Sequence, residues 1–325
     1  MNLPLESAAS ARRIHRYALA LAGGVILLIS AGALVTSKGA GLAVPDWPLS
    51  YGTLNPPRWW EIENVRAEHG HRLYAGTVAL LTVGLALWVA RREPRRWVRR
   101  LAWAAVGAVL LQALLGGITV LFFLPTAVSV GHAALAEVFL CLVVALAAVS
   151  SAGWAGARPG GEEIPATARL AAATTALVYG QILVGAVVRH LGAGLAIPDF
   201  PLAFGRLVPP RWDPAIGVHF AHRLGALVVL LAVAWTVTRV LRRHRREPAL
   251  ARPALAAALL VVAQIALGAS VVLTGRAIAV NTLHVATGAT LLAASLLLAL
   301  AAQRRLWLRR ADERGAAQVP REVAA

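Results

Sequence analysis

Eight stretches of this chain stay apolar for about twenty residues or more, the length a helix needs to cross a bilayer. They run roughly over residues 16–37, 67–90, 101–123, 127–149, 169–190, 216–239, 254–274 and 279–302. Proline-rich, polar or strongly basic segments separate them. Lipid offers the backbone no hydrogen-bond partner, so a spanning run must close its own bonds, and these runs are too long for barrel strands. The pattern predicts an all-α polytopic membrane protein with eight transmembrane helices. No small-residue cleavage site follows the first run, which therefore reads as a span and not as a removable signal peptide.

The polar punctuation is written twice. "GAGLAVPDWPLSYGTLNPPRW" (Gly39 to Trp59) returns as "GAGLAIPDFPLAFGRLVPPRW" (Gly192 to Trp212), identical at 15 of 21 positions. Behind the first copy stands "EHGHRLYAG" (Glu68 to Gly76), and behind the second "HFAHRLGAL" (His219 to Leu227). "VGHAALAEV" (Val130 to Val138) likewise pairs with "TLHVATGAT" (Thr282 to Thr290). The chain thus divides into two four-helix bundles, 1–150 and 151–325. Each holds an even number of spans, so the copies enter and leave from one side as parallel repeats. The prolines bar regular helix from the repeated segment, and its Trp and Phe suit headgroup depth, so each copy is expected to form a rigid interfacial lid. Gln112/Gly116, Gln181/Gly185 and Gln264/Gly268 share one spacing, with Leu28/Gly32 in the matching place of the first span. Such pairs are expected to serve close helix packing.

Composition agrees with the apolar pattern. Of 325 residues 58% are hydrophobic and 14% charged, and the mean hydropathy is +0.67. The net charge of +17 comes largely from clusters such as "RREPRRWVRR" and "RVLRRHRRE" in the segments on one side. That asymmetry predicts both termini in the cytoplasm and explains the charge with no nucleic acid partner. The single cysteine, Cys141, excludes an intramolecular disulfide and reads as a packed thiol.

Ionisable groups inside spans are costly and mark function. His71 and His132 in the first half match His222 and His284 in the second, all in the first turns of even-numbered spans. Two imidazoles facing each other across a bundle core can hold a six-coordinate haem, one axial ligand from each of two helices. Adjacent His69 and His71 point away from each other on a helix, and no thiolate or further His completes another kind of metal site. Arg72 and Arg223 directly follow two of the histidines and are candidates for haem propionates. The halves differ at one telling place: Glu68 lies three residues before His71, on the same helix face, where the second half has His219. A carboxylate beside a substrate can act as a base or stabilise developing positive charge, which makes Glu68 the candidate catalytic residue. The roles of Glu137, His219 and the Gln residues stay open.

Taken together, the doubled "GAGLA-PDWPL" loop, the "E-x-x-H-R" of Glu68 to Arg72, the "HR" of His222 and Arg223, and His132 and His284 resemble the haem A synthase family over residues 15 to 303. The resemblance implies oxidation of the position-8 methyl of haem O to a formyl group by successive hydroxylations, with oxygen from water. It implies haem b as bound cofactor, held by His222 and His284, and haem O held between His71 and His132, with Glu68 needed for chemistry. The partners it brings forward are haem O, haem O synthase and an electron acceptor such as quinone, at the cell (inner) membrane with the haem sites towards the outer face. The product serves cytochrome oxidase assembly. Oligomeric state stays open. Some members carry cysteine pairs in the outer loops; here the neighbouring positions read Val44, Ser50, Ile197 and Ala203. Two rivals remain. A non-catalytic bis-histidine membrane cytochrome b would use the same four ligands. A transporter of parallel repeats is disfavoured, because its polar groups would sit near the midplane.

Overall fold

The computed structural model describes residues 5–317. Its long helices are α1 (Leu5–Ser37), α2 (Glu63–Arg92), α3 (Arg96–Leu121), α4 (Thr126–Val149), α6 (Ile164–His190), α7 (Pro214–Arg243), α8 (Pro248–Leu273) and α9 (Ile278–Ala317). A single short turn, α5 (Ala152–Ala155), interrupts the link between α4 and α6. All eight long helices are long and apolar enough to span a membrane, as the sequence pattern predicts. They overrun the expected spans chiefly at the basic end, where α9 continues to Ala317 past the expected stop at 302. Lipid-length apolar content fixes where a helix must exist, while Arg-rich turns simply prolong it into water.

Two closed rings of helices make up the molecule. In one, α1, α2, α3 and α4 each touch their chain neighbours and α4 returns to α1; α6, α7, α8 and α9 close in the same way. Within each ring, α2 lies diagonal to α4, and α7 to α9. The rings meet along α1, α4, α6 and α9, with α4 against both α6 and α9, and α1 against α9. The first core is filled by residues such as Val25, Leu85, Val109, Phe139 and Leu140. On the outer surfaces Leu80, Leu231 and Leu259 are 61–76% exposed, as apolar side chains facing lipid should be.

The helix ends follow from their residues. Glu93 and Glu247 precede prolines and are extended (φ −96°, ψ 116° and φ −104°, ψ 94°), because the proline ring disfavours helix at the preceding position. Buried Glu93 pairs with Arg95 (2.7 Å), and Arg95 also donates to the Val149 carbonyl (3.0 Å), tying this turn to the end of α4. Glu247 holds His244 (2.8 Å) and reaches Arg305 of α9 (3.0 Å).

Candidate functional site

The four histidines stand at matched heights. His71 and His222 each lie eight residues beyond the first residue of α2 and α7, and His132 and His284 six beyond that of α4 and α9. All four are therefore about 9–12 Å below the helix starts, at the end of the molecule that carries the repeated loops. His222 and His284 face each other from diagonal helices with ring centres 6.4 Å apart and planes at 80°. Each imidazole rests on a glycine of a neighbouring helix. A Cβ would lie 3.2 Å from Cε1 of His71 at Gly32, 3.3 Å from that of His132 at Gly116, 2.9 Å from that of His222 at Gly185, and 3.1 Å from that of His284 at Gly268. The glutamines one turn away grip the helices that carry three of these histidines. Gln112 donates to the His132 carbonyl (2.8 Å). Gln181 donates to the His222 carbonyl (2.7 Å) and its amide meets Nδ1 of the same ring (2.9 Å). The Gln264 amide lies 3.4 Å from Nε2 of His284. These Gln/Gly pairs were expected to serve helix packing; the glycines in fact make room for imidazole rings.

The repeated loops end in the same device. Tyr51 and Gly52 (φ 52° and 74°), and Phe204 and Gly205 (φ 57° and 73°), are the central pairs of tight two-residue turns, the positive-φ geometry of a type I′ hairpin. Each turn is closed by a bridge, Ser50 with Thr53 and Ala203 with Arg206. Asp46 accepts from the Tyr51 and Gly52 amides (both 2.7 Å), and Asp199 from those of Phe204 and Gly205 (both 2.7 Å). Both carboxyls are held below the usual range, first by the Gly52 and Gly205 amides.

Arg72 and Arg223 lock these loops down. Arg72 donates to the carbonyls of Asp46 (2.6 Å), Leu49 (3.0 Å) and Val44 (2.9 Å), and to Glu68 (2.6 Å). Arg223 donates to Leu202 (2.8 Å), Ile197 (3.2 Å) and Asp199 (2.8 Å). A guanidinium has five N–H groups, and each arginine makes three bonds to carbonyls of its own loop. Both guanidiniums thus anchor their own loops beside the histidines. Buried Glu68 takes part in the same lock: its Oε2 accepts from the Val44 amide (2.8 Å) and its Oε1 from Arg72. His219 stands in the same position, 3.3 Å from both the Ile197 amide and Nε of Arg223. A neutral imidazole has one acceptor nitrogen, so it satisfies only one of these two donors, where the carboxylate satisfies both.

Two kinds of comparison with known proteins agree. The family model described as "Cytochrome oxidase assembly protein" matches residues 3–144 and again 65–296. The protein from Symbiobacterium thermophilum named "Heme A synthase" is 36% identical over 266 residues, covering 78% of this chain and 84% of that one. Proteins of the same name from Shouchella clausii (35%, 78% and 85%) and Alkalihalophilus pseudofirmus (30%, 84% and 92%) are also similar. The chain belongs to the haem A synthase family.

Do the residues present suit a haem? Two imidazoles binding one metal at about 2 Å each set their ring centres roughly 6 Å apart, and His222 and His284 stand at 6.4 Å. Nδ1 of His71, His132 and His284 is sealed from solvent without a hydrogen-bond partner, a condition that a donor or a metal relieves. In this haem A synthase family member, positions 44, 50, 197 and 203 are buried (0–3% exposed). Ile197 and Ala203 pack with Ile216, so the second loop is held by apolar contact. Ser50 bonds to His69 (2.9 Å). Glu137, opposite Ala289 of the repeat, is buried with Oε2 unpartnered.

Proposed function

We propose that this protein converts haem O to haem A, oxidising the position-8 methyl to a formyl group with oxygen from water. Haem O sits in the bundle of residues 1–150 between His71 and His132, and haem b in the bundle of residues 151–325 between His222 and His284. Both lie towards the outer face of the cell membrane, with the termini in the cytoplasm. The observation that carries this reading is the His222–His284 pair, set 6.4 Å apart across diagonal helices in a member of this family.

The chain's own residues define what it contributes. Methyl to formyl with one water oxygen retained releases four electrons and four protons, and bound haem b supplies a one-electron carrier towards an acceptor such as quinone. The glycines seat each imidazole, and the glutamines fix the helices that present them. Glu68 shares a helix face with His71, and its oxygens are aimed by Arg72 and the Val44 amide. Each oxygen keeps a lone pair that can accept a proton from an attacking water or stabilise positive charge at the reacting carbon. His219, at the same place in the other bundle, can do neither as well, which suits a site that only passes electrons.

Glu68 also braces the loop, so truncation to Ala removes both roles. Breaking a buried pair costs about 3–5 kcal/mol. The informative variant is Glu68→His, which gives the first loop the lock of the second while removing the carboxylate. Expressed with a haem O supply, it should keep haem b absorbance while haem A, read by mass, falls by at least a hundredfold. Undiminished haem A would remove Glu68 from the chemistry. A wild-type protein that binds haem yet never yields haem A would instead establish the bis-histidine electron carrier.

A further inference from the structure

Arg72 and Arg223 anchor their loops, and a further cation stands near the second histidine pair. Arg189 occupies the last turn of α6, one turn beyond Gly185, the glycine under His222. Its Nη2 donates to the Ala33 carbonyl and to Oγ of Ser37 (3.0 Å), both on α1 of the other bundle. Asn281 of α9, three residues before His284, donates to the same Ser37 Oγ (3.1 Å). Ser37 in turn donates to Ala33 (2.7 Å), so its hydroxyl is fully used. Three helices from two bundles converge on one hydroxyl, about one turn outward of the imidazoles.

The guanidinium itself is left wanting. Among the described residues its Nη1 and Nε make no hydrogen bond, and no carboxylate stands within ion-pair distance. Arg276 brings a second positive charge to the same neighbourhood, and His284 lies within electrostatic reach of Arg189. A half-buried cation with idle donors at a membrane-spanning helix end favours an anion. The sequence repeat gives the position no twin, since the matched residue after Gly32 is Thr36.

We propose that Arg189 reads a propionate carboxylate of the haem held by His222 and His284, and through Ser37 ties that site to the first bundle. This rests on the haem b assignment above and goes beyond it, naming a residue and the group it binds. An alternative source of the same oxyanion chemistry is a lipid phosphate.

The test uses the full chain in lipid nanodiscs, loaded with haem or with haem dimethyl ester, whose propionates carry no charge. Transfer of the bis-histidine haem to apomyoglobin is timed, using the signal that His284→Ala abolishes. Wild type should release the ester about tenfold faster than haem, the loss expected for one charge-assisted hydrogen bond. Arg189→Gln should release both at similar rates, and Arg189→Lys should recover part of the preference. Arg189→Gln releasing the two at the wild-type ratio overturns the proposal while leaving the haem assignment intact. An Arg189→Gln effect that appears only with anionic lipid, and ignores esterification, overturns it in favour of a headgroup. A bis-histidine signal indifferent to His284→Ala would overturn both the proposal and the assignment beneath it.

Discussion

The smallest residues carry much of the site. An imidazole packed on a helix needs its neighbour to have no side chain, and Gly32, Gly116, Gly185 and Gly268 each meet that demand. Gly185 is the tightest, since a Cβ there would lie 2.9 Å from His222. Overpacking of this kind costs about 1–3 kcal/mol, and the ring can escape only by leaving its ligand position. Gly185→Ala should therefore lower bis-histidine haem retained through purification by about tenfold or more. Gly76→Ala, where a Cβ meets nothing within 4 Å, should leave it unchanged. Equal retention in the two variants would show that the glycine does not seat the ring.

Among the elements, the twin loops are the parts most tightly specified. Each Asp–aromatic–Gly phrase builds one turn whose central amides feed one carboxylate, and one arginine then fastens the turn to a helix. Asp46 and Asp199 titrate below the ordinary carboxylate range because the Gly52 and Gly205 amides favour the charged form. A depressed folded value means the stabilisation is complete above the unfolded value, about 3.9, and is lost as pH falls through the folded one. Exchange of the Tyr51, Gly52, Phe204 and Gly205 amides, corrected for intrinsic rates, should stay slow and flat from pH 8 to 5 and rise only below pH 4. A rise between pH 8 and 6 would contradict the Asp-capped turn. In the first loop, a Cβ at Gly117 would overlap the indole of Trp47. Gly117→Ala should accordingly quicken exchange in that loop and spare the second, where Phe200 replaces the tryptophan and Ala269 the glycine. Equal exchange in both loops would refute Trp47 as an anchor.

At the scale of the molecule, the two rings meet along α1, α4, α6 and α9, and the polar node of Arg189, Ser37 and Asn281 bridges them about one turn outward of the histidines. Eight spans return the chain to the side on which it began, and the basic clusters favour the cytoplasm for that side. A fluorescent protein fused after residue 325 should therefore mature and glow, while alkaline phosphatase at the same place should stay inactive. The reverse result would invert the topology and move the haem sites to the inner face.

The sequence by itself determined the eight helices, their order, the doubled loop, the four matched histidines and the Glu68/His219 difference. Each of these follows from period, length or repetition, which are properties of a one-dimensional string. It could not show what the arginines and the glycines touch, because a side chain's partner depends on what lies across the seam. That Arg72 gathers the loop carbonyls of Val44, Asp46 and Leu49 is visible only once the loop is folded against α2. Arg189 was invisible for the same reason: only packing of α6 beside α1 and α9 turns a charge at a helix end into a half-buried cation with donors to spare.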